Sequence, residues 1–256
     1  MRFDVITLFP ELFGPFLRTG ITRRAFEAGQ VDVRLSNPRD VALGNYRRID
    51  DRPFGGGPGM VMMAEPLEKT LVEIQSQRQD QAPVVLFSPI GKRLDHADID
   101  TWAHSQGAIL VCGRYEGIDQ RFIDRHVHFQ ISVGDFVLSG GELPAMVLLD
   151  AVARLQPGVL SDQESHQLDS FNPELDGLLD CPHYTRPEVW SELPVPAVLM
   201  SGHHEHIEHW RREQRLALTA THRPDLIEIA RQLGKLSPQD EHFLRNTAAV
   251  KVIIKG

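Results

Sequence analysis

Five short apolar runs, at 3–8, 31–35, 84–87, 108–111 and 127–133, alternate with helical patterns at 11–19, 22–28, 65–77, 95–105 and 119–125. Each run is nearly continuous in its apolar residues, as a strand is when both faces of its sheet are covered. Strands alternating with helices predict an α/β domain with a mostly parallel sheet, whose ligands collect at the carboxyl ends of the strands. The loops after the strands are therefore where function is sought. A further helical pattern covers 143–155, and Pro157 and Gly158 then lead into a polar stretch without apolar periodicity. Beyond it the patterns at 204–221, 224–233 and 238–246 are helical, so a small helical second domain is expected.

At 256 residues the chain is long enough for a medium domain and a small one. No apolar run approaches the roughly 18 residues that span a bilayer, and no export signal is visible, so neither a membrane nor secretion is expected. Cys112 and Cys181 stand far apart without metal-ligand spacing, which fits a reducing cytoplasm. A net charge of -8 argues against a protein that coats nucleic acid indiscriminately, because such binding runs on lysine and arginine against phosphate. Any RNA contact is expected to be local, and no DNA partner is expected.

Glycine marks the candidate site. The cluster at 55–59, Gly-Gly-Gly-Pro-Gly, reads equally as close backbone approach to a ligand and as a long turn. It matches neither the dinucleotide fingerprint nor the P-loop. Three later loops each follow a predicted strand, at 88–91, 113–117 and 134–144, and together they favour a small-molecule site over plain turns. The run His203, His204, Glu205, His206, Ile207, Glu208, His209 invites a metal reading. It lacks the H-E-x-x-H order, so a solvated helix turn is favoured and no metal ligand is assigned. Cys112 reads as a small core residue rather than a nucleophile. By position alone Arg154 is a helix C-terminal cation and Asp169 a cap.

The segments RPFGGGPGM after Asp51, LVCGRYEGID from Leu110, SVGDFVLSGGELPA from Ser132 and GLLDCPHYTRPEVW from Gly177 resemble the bacterial tRNA (guanine-N1)-methyltransferases. The likeness runs from VITLFPELF at Val5 to SGHH at Ser201 and W-R-R at Trp210, so it covers nearly the whole chain. It implies a methyltransferase of the SPOUT class, its chain threaded through a deep trefoil knot. Such threading lies outside anything periodicity predicts. It further implies a domain at 1–160 that binds S-adenosylmethionine, a flexible linker at 161–173 and a tRNA-binding domain at 174–256. A homodimer is implied, with the linker supplied to each site by the partner chain, and guanosine 37 of tRNA, preceded by a guanosine, as acceptor.

Carried over residue by residue, the donor pocket comprises Pro89, Gly91, Gly113, Tyr115, Glu116, Gly117, Val133, Gly134, Leu138, Gly140, Gly141 and Pro144, with Ser88, Ser132, Asp135, Phe136 and Val137 on the same loops. Asp169 becomes the general base and Arg154 the partner of guanine O6. The family is associated with Mg2+, and Glu116 is the pocket carboxylate that could meet it. Phe136 stands where a tyrosine is usual and Ile90 where a more polar residue is usual; neither touches the implied chemistry. Arg186, Arg211, Arg212, Arg215 and Arg223 are the cations available to RNA in the second domain. Two other functions stay open at this point. One is an RNA-binding protein of the same fold without turnover, and the other a metal-dependent hydrolase built on the histidine run.

Overall fold

The computed structural model describes residues 1–160 and 167–254. Its contacts fall into two units, Met1–Ser161 and Asp162–Gly256. Of the stretch expected as a flexible linker, 161–166 lie outside the described residues.

The first unit runs β1 (Arg2–Ile6), α1 (Phe13–Arg18), α2 (Arg23–Glu27), β2 (Asp32–Ser36), β3 (Asp50–Asp51), β4 (Val61–Met62), α3 (Ala64–Ser76), β5 (Val84–Arg93), α4 (His96–Ala103), β6 (Ile109–Val111), α5 (Gln120–His126), β7 (Phe129–Ser132) and α6 (Glu142–Arg154). Five strands form one parallel sheet in the order β2-β1-β6-β5-β7, as the alternation predicts. Successive strand residues point to opposite faces. Val5, Val85 and Leu110 join one core with Ala145, Leu148, Leu149 and Val152, the i, i+3, i+4, i+7 stripe of α6. Ile6, Val84, Leu86, Ile109 and Val111 join the other with Leu67, Leu71 and Ile74 of α3 and Phe122 of α5. Burial on both faces is why the strands read as continuous apolar runs rather than alternating ones.

One charge interrupts β1. Asp4 is 1% exposed and is met by Arg2 Nη2 at 2.7 Å and Arg78 Nη1 at 2.5 Å. Arg78 also holds Asp80 at 2.8 Å, so the turn after α3 is pinned to β1 by charge. Partners of this kind offset the cost of taking a carboxylate out of water.

The second unit contains β8 (Val189–Trp190), β9 (Leu193–Pro194), α7 (His204–His222), α8 (Pro224–Gln232) and α9 (Pro238–Ile254). Leu178, Leu216, Ile227, Ala230 and Leu244 form its small core. Arg212 bridges Asp176 at 2.8 Å and Asp240 at 3.0 Å, and Arg215 meets Asp180 at 3.5 Å. The unit is mainly helical, as expected, but β8 and β9 form an antiparallel hairpin that its sequence does not announce. Ser191 and Glu192 both take positive φ at its tip, +49° and +66°, where Asn-Gly is the usual signal. No helix among the described residues is long and apolar enough to cross a membrane.

Candidate active site

A cavity of about 380 Å3 opens at the carboxyl ends of β5, β6 and β7. Its first wall comes from an interruption in β5. Phe87 and Lys92 both stand opposite Ile131, so the four residues between them loop out of the ladder. The strand expected to end at Phe87 thus resumes and runs to Arg93. Ser88, Pro89 and Ile90 line the cavity, whereas Gly91 is absent from the lining. Gly91 instead backs onto β7, where a Cβ would stand 2.4 Å from the Gln130 carbonyl carbon.

The second wall, 113–117, is fastened by β4 and the residue before it. Glu116 N donates to Met60 O at 3.0 Å, Met62 N to Gly117 O at 2.9 Å, and Asp119 N to Met62 O at 2.9 Å. The chain just after the glycine cluster therefore sets the shape of this loop. Gly113, Tyr115, Glu116 and Gly117 all line the cavity. Tyr115 takes φ +60°. Burial pushes its phenol above the ordinary value, and Asp50 adds to the rise against an opposing effect of Arg39.

The third wall supplies Ser132, Val133, Gly134, Phe136, Val137, Leu138, Gly140, Gly141 and Pro144. Ser132 Oγ accepts from Gly134 N at 3.2 Å, which tightens the turn out of β7. Asp135 points elsewhere: its side chain is 91% exposed and stands 3.8 Å from Arg93. Gly141 N donates to Gly113 O at 3.0 Å, and a Cβ at Gly141 would lie 2.7 Å from Cys112 Cα. Only glycine lets these two loops close on each other.

Most of the residues assigned to the donor pocket are thus brought around one cavity, with Gly91 supporting it from behind and Asp135 outside it. Arg154 and Asp169 are not among its lining residues. Arg154 ends α6 in the first unit. Asp169 opens a turn in the second, its carbonyl accepting from Asn172 N at 3.2 Å, while Phe171 N bonds Leu178 O at 2.9 Å and Asp180 N bonds Ser170 Oγ at 2.9 Å.

Arg114 also lines the cavity, although the resemblance assigns a role to its neighbours Gly113 and Tyr115 and none to it. Its Nε lies 2.9 Å from Glu142 Oε2, as an ion pair not aligned for a hydrogen bond. No local signal in the sequence announces that contact. Gln120, Ile123 and Gln130 complete the floor.

Other candidates resolve on their surroundings. Cys112 is 1% exposed, and burial pushes its thiol well above the ordinary value, so it is held neutral in the core. His204, His206 and His209 lie exposed on α7, and no group of three or more His, Cys, Asp or Glu converges among the described residues. The hydrolase reading finds no support. Arg212 and Arg215 are committed to carboxylates of their own unit, Arg211 pairs with Glu208 at 2.6 Å and Arg223 with Asp225 at 2.6 Å. Arg186 is exposed in the segment that precedes the hairpin.

A parallel α/β sheet with a cavity on glycine-rich loops at its strand ends has the architecture of a ligand-binding α/β domain. Residues 1–229 match the family described as tRNA (Guanine-1)-methyltransferase TrmD, and the chain belongs to that family. A tRNA (guanine-N(1)-)-methyltransferase of Albidiferax ferrireducens is 72% identical over 95% of this chain and 98% of that protein. Proteins of the same name are 68% identical in Paracidovorax citrulli, over 95% of this chain and 97% of theirs, and 56% identical in Bordetella pertussis, over 97% and 98%.

Proposed function

We propose that this chain transfers a methyl group from S-adenosylmethionine to N1 of a guanosine in tRNA, at position 37 beside the anticodon. The observation that carries the reading is the cavity, about 380 Å3, within the range of small-molecule sites and walled by the three loops that hold the family motifs. Its glycines place no side chain between the loop backbone and an adenine edge. Pro89, Gly113, Tyr115, Gly117, Val133, Gly134, Leu138, Gly140, Gly141 and Pro144 would hold the donor. When bound, the donor supplies an electrophilic methyl on a sulfonium sulfur that leaves as a neutral thioether.

The chain's own task is proton and charge management. N1 of guanine carries a proton and its lone pair is delocalised into the lactam, so the N1–C bond forms as the N1–H bond breaks. Asp169 is the carboxylate assigned to take that proton. Arg154 donates to O6, where negative charge develops, and so acts as an oxyanion stabiliser. A divalent cation enters only through Glu116. Mg2+ keeps several waters and takes one or two carboxylates, and Glu116 is the cavity carboxylate that would hold it.

The same reading includes a trefoil knot within 1–160, a linker at 161–173 and a tRNA-binding part at 174–256. It also includes a homodimer that completes each site with the partner chain's linker, and work in the cytoplasm. The test is methyl incorporation into an unmodified tRNA transcript. Stoichiometric labelling that disappears when guanosine 37 is replaced supports the proposal; no labelling, or labelling indifferent to that replacement, sinks it.

A further inference from the structure

Two walls of the cavity are tied together by a buried ion pair whose carboxylate the proposed chemistry does not use. Glu142 opens α6 and is 1% exposed. Its Oε1 accepts from Thr7 Oγ1 at 2.9 Å, and its Oε2 lies 2.9 Å from Arg114 Nε. Arg114 in turn donates through Nη1 to Ser139 O at 3.1 Å and Ser139 Oγ at 3.3 Å, with its guanidinium 4.5 Å from the centre of the Phe9 ring. Among the described residues Arg114 is the one cation lining the cavity. The fit leaves no slack, since a Cβ at Gly140 would stand 2.3 Å from Arg114 Nε.

We propose that Glu142 is a positioning residue for methyl transfer: acting through Arg114, it fixes the 113–117 loop against 139–141 so that the donor meets a preformed cavity. The inference rests on the reading that this cavity holds S-adenosylmethionine. Arginine on its own is a long side chain with many rotamers, and ordering it at the moment of binding weakens affinity. Glu142 does that ordering in advance from a position where its carboxylate cannot reach water. Proton transfer at N1 belongs to another residue, so losing Glu142 raises the donor KM and leaves kcat nearly unchanged.

Glu142→Gln keeps the size and the acceptor for Thr7 while removing the charge that faces Arg114. Calorimetric titration of the full chain with S-adenosylmethionine is expected to show affinity weakened about tenfold or more, as befits loss of the buried charge that holds Arg114 in place. Arg114→Met is expected to show the same loss, and the double variant no more than either single one. Additive losses, or folded variants with a lower unfolding midpoint and unaltered donor affinity, would make Glu142 a purely structural carboxylate and overturn the proposal. Should Glu142→Gln fail to fold, Arg114→Met decides alone, and unchanged donor affinity there overturns it. A wild-type chain that does not bind the donor refutes the proposed function itself, whereas wild-type binding matched by the variants refutes only the role of Glu142.

Discussion

At the scale of single residues, Asp169 bears the proposed proton transfer and the cavity loops do not. Asp169→Asn keeps the shape and removes the acceptor, so transfer is expected to fall by about 100-fold or more. Donor affinity measured by calorimetry should stay within about twofold, and its collapse would mean that Asp169 contacts the donor instead. A second residue reports on folding. Burial alone would raise the Asp240 carboxyl, but hydrogen bonds from Arg212 and Ser237 hold it below the ordinary range. A depressed carboxylate contributes stability that is present above the unfolded value near 3.9 and is lost as pH falls through the lower folded value. Asp240→Asn is therefore expected to destabilise the second unit by about 2 kcal/mol at neutral pH, with the deficit closing in acid, as urea unfolding at several pH values will show. Neither Asp169 nor Arg154 carries a local signal that separates it from a cap or a helix end, so motif likeness alone picked them out. Arg114 was visible as a residue and hidden as a contact, because Glu142 becomes its neighbour only in three dimensions.

At the scale of elements, the alternation of apolar runs and helical patterns was enough to read five parallel strands and their helices, because a sheet buried on both faces leaves that trace. It could not reveal that β5 breaks and resumes. Ser88–Pro89 looks like the end of a strand, and the second stretch, Lys92 and Arg93, is too polar to read as one. Gly91 makes the break possible. Gly91→Ala would drive a methyl group into the β7 backbone, and a loss of about 1–3 kcal/mol in denaturant unfolding is expected, with weakened donor binding. The hairpin of β8 and β9 is illegible in the sequence for a related reason. Two-residue strands have no periodicity to detect, and Ser-Glu at the tip lacks the glycine that announces such turns.

At the scale of the whole molecule, the proposed oxyanion stabiliser and general base belong to different units, Arg154 to Met1–Ser161 and Asp169 to Asp162–Gly256. If a partner chain completes each site, mixing inactive Arg154→Ala and Asp169→Asn chains should restore roughly one active site in four when subunits exchange at random; no recovery would confine each site to one chain. The chemistry at N1 is open to a more direct reading. Wild-type protein is given tRNA transcript and S-adenosylmethionine with a labelled methyl group, the labelled position is mapped by mass spectrometry of ribonuclease fragments, and the labelled base is identified after further digestion to nucleosides. One label per tRNA, recovered as N1-methylguanosine from position 37, is the predicted result. Label on any other atom or base, or no label with donor demonstrably bound, would contradict the assignment of this cavity and of Asp169 to N1 methylation.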